Sequence, residues 1–236
     1  MKKMIACDYD NTFFVDAQDI ERNKEAVARF VKAGGIFVIA TGRSFYDLHT
    51  MMDRFGFTYD YAVINHGATA IDKDDNVIAN FTIDDKAKND LLNDYDLPHI
   101  VKCYACDVEH SRACFTDNDL TKLNATYDTV EKAKERNAFF NEKYGKFVNS
   151  YIVDGAMIEI ISSATDKANG VRAVAKKVGM EEKDIYAIGD SYSDVEMVSA
   201  FNGYCMTNSV EPLKEVAKGE YVSVSDFIDD IMNGRI

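Results

Sequence analysis

IACDYDNTF, residues 5–13, is a short apolar run that stops on two aspartates, Asp8 and Asp10, with Tyr9 between them. On extended chain the two acids project to one side and Tyr9 to the other, so the run reads as a buried strand that delivers paired carboxylates at its end. Strand and helix patterns alternate outward from it. Residues 23–32 carry apolar positions at helical spacing and stop at Gly34 and Gly35. GIFVIA (35–40) is a second strand, followed by the polar turn Thr41-Gly42-Arg43. Ser44 with Asp47 has the form of a capping box opening a helix to about Phe55, and YAVINHG (61–67) is a third strand. This βαβαβ order predicts a parallel sheet with right-handed crossovers.

The last third repeats the theme: helix over 167–178, strand over 184–190, helix over 194–200, strand over 203–207, helix over 212–217, strand over 221–224 and a final helix over 227–232. The middle differs. Residues 84–161 mix a polar helix, a strand within HIVKCYACDVEHSRACF (99–115), a long charged helix over 129–144 and two strands in KFVNSYIVD and AMIEIIS. That reads as an α+β insertion, joined back through the small polar hinge SSATD (162–166). The fold class expected is therefore α/β, a Rossmann-like parallel-sheet core from residues 1–83 and 162–236 with an inserted α+β cap domain over 84–161.

Composition narrows the function. The 236 residues are 47% hydrophobic and 28% charged, the profile of a chain that folds alone around a sizeable core. A formal net charge of −13 argues against nucleic acid or an anionic membrane as partner. The opening MKKMIAC is interrupted by Asp8 before a signal-peptide apolar segment can form, and no run approaches a membrane span, so a cytoplasmic location is expected. Five cysteines suit reduced thiols better than a disulfide framework. Cys103, Cys106, His110 and Cys114 have a loose zinc-knuckle spacing, but on a strand Cys103 and Cys106 face opposite ways, which disfavours a closed metal site.

In open parallel sheets chemistry collects at the carboxyl ends of strands. Asp8, Asp10 and Thr12, then Thr41 and Arg43, then Lys167, then Asp190 and Asp194 all fall there. Clustered acids are stable only when a divalent cation, a shared proton or neighbouring Lys and Arg offset their charge, and an all-oxygen set suits Mg²⁺. Acids set among Thr, Lys and Arg point to phosphoryl transfer. A carboxylate nucleophile would give an acyl phosphate that water cleaves, with a second carboxylate serving as acid and then base.

DYDNT, ATGR, the lysine of TDKANGV and GDSYSDVEM resemble the four ordered motifs of the haloacid dehalogenase-like phosphatases, with the spacing of the Cof-like type IIB branch. The resemblance extends to NHGATAI, to AMIEI and to CMTNSVEPLKEVA, covering both core segments closely and the middle by position. It implies a Mg²⁺-dependent phosphatase of small phosphorylated metabolites, sugar phosphates among them, with an aspartyl-phosphate intermediate. Asp8 would be the nucleophile and Asp10 the general acid/base, with the Asp10 carbonyl also on the metal. Asp190 would be the third protein ligand and Asp194 would support the metal site directly or through water. Thr41 would hold a phosphoryl oxygen and Lys167 would neutralise nucleophile and phosphate. Thr12, Gly42, Arg43, Asn65 and Asn208 complete the expected phosphate and substrate side. Two positions depart from the family pattern: Asn11 stands where Gly is usual and Ser193 where Asn is common. Asn tolerates the left-handed backbone such a turn needs.

Other readings stand beside these. Asp8 and Asp10 could cap a turn, Lys167 could be a surface residue, and Arg43 could clamp a neighbouring carboxylate. Asn65 and His66 could satisfy loop backbone rather than touch substrate, and Asp72 to Asp75 read as a solvated hairpin turn. A phosphotransferase or mutase of the same fold and a non-catalytic phosphoryl-binding regulator are the competing functions. Lys102, Tyr104, His110, Arg112 and Lys122 are unranked candidates for contacts from the insertion. Substrate identity and oligomeric state are not legible in the sequence.

Overall fold

The computed structural model describes residues 3–108 and 112–236. The first part of the chain runs β1 (Met4–Cys7), α1 (Ala17–Lys32), β2 (Ile36–Ala40), α2 (Phe45–Phe55), β3 (Tyr61–Ile64), β4 (Thr69–Asp72) and β5 (Val77–Asn80). The middle contributes α3 (Asp85–Asn93), β6 (Ile100–Cys106), β7 (Lys122–Tyr127), α4 (Val130–Tyr144), β8 (Val148–Asp154) and β9 (Met157–Ser162). The last part runs α5 (Lys167–Val178), β10 (Ile185–Gly189), α6 (Val195–Ala200), β11 (Asn202–Met206), α7 (Glu211–Val216), β12 (Glu220–Tyr221) and α8 (Val224–Met232).

Among the described residues these strands make two sheets. The larger has the order β12-β11-β10-β1-β2-β3-β4-β5, parallel from β12 to β3, with β4 and β5 added as an antiparallel hairpin. It is a mixed α/β architecture on a parallel core, as the alternating pattern predicts; Asp72 ends β4 and Lys73 to Asp75 lie in the β4–β5 turn. Both of its faces are covered. Ile5, Cys7, Phe37 and Ile39 pack with Phe30 of α1 and Phe227 of α8. The alternate residues Met4, Ala6, Val38 and Ala40 pack with Val171 and Val174 of α5. Each large side chain buried this way contributes roughly 1.5–3 kcal/mol, which is why these strands read as continuous apolar runs.

The smaller sheet, β6-β7-β9-β8, is antiparallel, and its strands lie in the chain between β5 and β10. One face packs Leu123, Ala125, Ile158 and Ile160 against Leu91 of α3 and Phe140 of α4. Its central strand β7 has no counterpart in the sequence-based assignment. Two helices also begin earlier than their periodicity suggests, because a cap decides the start. Asp16 accepts hydrogen bonds from the Gln18 and Asp19 amides and opens α1, while Ser223 accepts from the Asp226 amide and opens α8, shortening the strand expected over 221–224 to Glu220–Tyr221. The strand expected over 99–115 ends at Cys106. Cys103 is exposed and Cys106 buried, on opposite faces as expected; Cys114 is exposed, and His110 lies outside the described residues.

Candidate active site

β1 sits between β10 and β2, where the strand order reverses, and the crevice beyond the carboxyl ends of strands at such a switch point is where ligands bind. Cys7 pairs with Ile188 and the Asp8 amide donates to the Ile188 carbonyl at 3.0 Å, so Asp8 and Asp190 leave neighbouring strands side by side. The chain then turns sharply. Asn11 has φ 58°, the left-handed conformation that Asn accepts in place of Gly, and the Phe13 and Phe14 amides return to the Asp8 and Tyr9 carbonyls. Tyr9 is buried in the apolar core, while Asp8 and Asp10 both line one cavity.

Lys167 is the first residue of α5 and fully buried; its Nζ donates to Asp8 Oδ1 at 2.6 Å and to Asp194 Oδ1 at 2.7 Å. A cation at a helix N-terminus is unfavourable on its own, and these two carboxylates compensate it. Asp166 caps the helix by accepting from the Asn169 amide at 2.7 Å, and the turn after β3 packs closely on it: a Cβ on Gly67, at φ 103°, would lie 1.9 Å from the Asp166 carbonyl oxygen. The other oxygen of Asp194 accepts from the Asp190 and Ser191 amides and the Ser191 hydroxyl. Asp194 is therefore engaged on both oxygens, tying the Asp190 loop to Lys167.

Thr12, expected on the phosphate side, is fully buried and donates to Asp190 Oδ1 at 2.7 Å, so its hydroxyl orients an acid. Asp10 also differs from a simple cluster of acids. Arg43 clamps its carboxylate through Nε at 2.9 Å and Nη2 at 2.7 Å while lying over the Tyr9 ring. Thr41 is buried, its hydroxyl accepting the Arg43 amide. Gly42 is needed where it stands, since a Cβ there would meet the His66 ring at 2.4 Å. Asn208 only reaches the Asn11 carbonyl, at 3.4 Å, and Asn65, also buried, donates to Thr121 Oγ1 at 3.2 Å.

Three buried carboxylates, Asp8, Asp190 and Asp194, have oxygens within 4.8 Å of one another. Among the described residues, Lys167 is the ammonium bonded to this cluster. Burial, reinforced by the neighbouring Asp194 and Asp190 charges, holds the Asp8 carboxyl well above the usual range despite Lys167. Burial and the Asp194 charge also raise Asp190, against the Thr12 hydrogen bond. Burial works against the Lys167 ammonium, but Asp194 and Asp8 outweigh it and raise its pKa. The donor set, oxygen-only and carrying more negative than positive charge, fits a hard divalent cation. Asp8 and Asp190 are the acids that could hold it, each with one oxygen engaged by Lys167 or Thr12; the Asp10 side chain is committed to Arg43, leaving its carbonyl for that role.

The cavity measures about 470 Å³ and is walled on its far side by the smaller sheet. Tyr104 pairs with Asn124, Asn124 with Glu159 and Glu159 with Tyr151, so one cross-strand row runs over all four strands. Glu159 accepts from His66 Nε2 at 2.6 Å and from Lys122 Nζ at 2.8 Å, and Lys122 also donates to the Gly42 carbonyl at 2.7 Å. Of the unranked candidates, Tyr104 and Lys122 line the cavity; Lys102 and Arg112 instead lie over the Tyr104 ring. Glu159 was not singled out by sequence reasoning, although a lone acid inside the apolar run MIEIIS was a usable signal.

A family model described as haloacid dehalogenase-like hydrolase matches residues 5–110 and 105–227. The chain is 24% identical over 293 residues to the 5-amino-6-(5-phospho-D-ribitylamino)uracil phosphatase YwtE of Bacillus subtilis, covering 99% of each. It is 34% identical over 117 residues to a phosphoglycolate phosphatase of Methanosarcina acetivorans, covering 47% of this chain and 50% of that protein. A haloacid dehalogenase-like hydrolase structure from B. subtilis superposes with a TM-score of 0.83 at 17% identity, covering 99% of this chain and 100% of the other, which shows a shared fold. The chain belongs to the haloacid dehalogenase-like hydrolases and is an enzyme of their phosphatase group.

Proposed function

We propose that this protein is a Mg²⁺-dependent phosphatase of small phosphorylated metabolites, working through an aspartyl-phosphate on Asp8. The observation that carries the reading is the buried Lys167 ammonium bonded to both Asp8 and Asp194 at the floor of a cavity that Asp10 and Asp190 also line. Bound between Asp8, Asp190 and the Asp10 carbonyl, Mg²⁺ would supply charge neutralisation at the phosphoryl oxygens. Asp8 attacks phosphorus and the ester oxygen leaves; water then cleaves the acyl phosphate. Lys167 keeps the nucleophile placed and offsets the incoming charge. Asp10, whose two oxygens Arg43 holds in the structure, must leave that clamp to donate the proton to the leaving oxygen and later take one from water. In this reading residues 84–161 act as a cap that excludes bulk water and selects the leaving group. The −13 net charge supports a small metabolite as partner rather than nucleic acid, and the free cysteines fit a reducing, cytoplasmic setting.

p-Nitrophenyl phosphate tests it, because its leaving group needs no acid. Wild-type protein should release nitrophenol only with Mg²⁺ present. Asp10→Asn should give a burst approaching one equivalent per site and then a slow rate, with acid quenching leaving phosphate on the peptide containing Asp8. Loss of both phases would place Asp10 in the first step, and an unchanged steady rate would assign the acid/base role to another residue.

A further inference from the structure

Outside the acid cluster, the molecule buries a second group of charges at the seam between the sheets. Glu159 and Lys122, on adjacent strands β9 and β7, are each almost fully buried, and so is His66 on the turn after β3. Among the described residues, the contacts that cross the seam include His66 to Glu159, Lys122 to the Gly42 carbonyl and Asn65 to Thr121, with the His66 ring stacked at 5.3 Å on that of Tyr151. The donors are fixed rather than interchangeable. Thr121 Oγ1 donates to the Cys106 carbonyl and so accepts from the Asn65 amide, while ionised Glu159 can only accept, so His66 presents Nε2–H. Among the described residues this leaves His66 Nδ1, Asn65 Oδ1 and Asn124 Oδ1 as buried acceptors without a hydrogen-bond partner. A seam built on a buried ion pair and directional hydrogen bonds is a specific contact, not a patch of core packing.

We propose that Glu159, together with Lys122, is a positioning pair that fixes the smaller sheet over Asp8 by gripping His66 and the Gly42 carbonyl. The proposal rests on the phosphatase reading for its kinetic consequence, but not for its structural one. Gly42 precedes Arg43, the residue that clamps Asp10, so the grip on its carbonyl also steadies the wall from which Asp10 is held. Lys122 and Glu159 support each other's charge: Lys122 and His66 outweigh burial and hold the Glu159 carboxyl down at about 2, and Glu159 outweighs burial to raise Lys122.

Either single substitution leaves an unpaired buried charge, so the test uses the neutral double variant Glu159→Gln/Lys122→Met beside Glu159→Gln alone. Amide hydrogen exchange is compared with wild type at residues 41–43, 65–67 and 121–124 and at the core strands β1 and β2. The double variant should exchange faster at the seam and unchanged at β1 and β2. With p-nitrophenyl phosphate and Mg²⁺, its KM should rise about tenfold while kcat stays within about threefold. Wild-type exchange and KM in the double variant would overturn the proposal, as would faster exchange throughout β1 and β2, which would mean a general structural role. If wild-type protein proves inactive, the phosphatase reading fails, whereas the exchange comparison still decides whether the pair holds the seam.

Discussion

The two sheets bury their strands in opposite ways. Each β1 residue of the larger sheet faces an apolar layer, whichever side it points to, so all the chemistry is pushed to the strand ends, where Asp8 and Asp190 emerge. In the smaller sheet one face is apolar and the other carries the row Tyr104, Asn124, Glu159 and Tyr151 along the middle of its strands. The difference separates two arrangements: a sheet covered on both faces that presents its acids at the strand ends, and a sheet whose polar face bounds the cavity above them.

The sharpest way to break that division is at the strand end. Asp8→Asn keeps the shape of the side chain but removes the proposed nucleophile, so activity should fall by roughly 10³-fold or more with a cooperative melt retained. Activity near that of wild type, measured with p-nitrophenyl phosphate, would move the nucleophile elsewhere.

A smaller effect is expected one step removed. Thr12→Val deletes the hydroxyl that orients Asp190 while keeping volume, and should weaken Mg²⁺ binding by about 10–100-fold, read from calorimetric titration. An unaltered affinity would show that Thr12 matters to Asp190 only as packing.

The smallest effect concerns the seam and sharpens the contrast by pH. Burial lowers the His66 pKa more than Glu159 raises it, so folded protein resists a proton that the unfolded chain accepts below about 6.5. The unfolded state then binds more protons, and stability falls as pH drops through that value. Wild type should lose a few degrees more in Tm than His66→Gln between pH 7 and pH 5. Equal losses in the two proteins would mean that His66 is not held neutral by the seam.

Much of the larger sheet could be read directly. Continuous apolar strands and Ser44 as a cap are local signals with local causes. Asp8, Asp10 and Asp190 were legible for the same reason, since each closely follows a strand. β7 was missed although Lys122-Leu-Asn-Ala-Thr-Tyr127 alternates strictly, because its polar residues look like a loop until Leu123, Ala125 and Tyr127 are seen to share the buried face. Thr12 was expected to face phosphate; the left-handed turn at Asn11 brings its hydroxyl to Asp190 instead.

By itself the sequence determined the parallel core, because hydrophobic period is a property of short segments, while the four ordered motifs were legible through their resemblance to a known family. Tertiary structure decided which partners those residues take. Lys167 joins Asp8 to Asp194, Arg43 joins Asp10, and Glu159 joins His66 to Lys122 across residues far apart in the chain. Such pairings depend on strand order, register and the packing of one sheet over another, and a buried charge takes whichever opposite charge that geometry brings within reach.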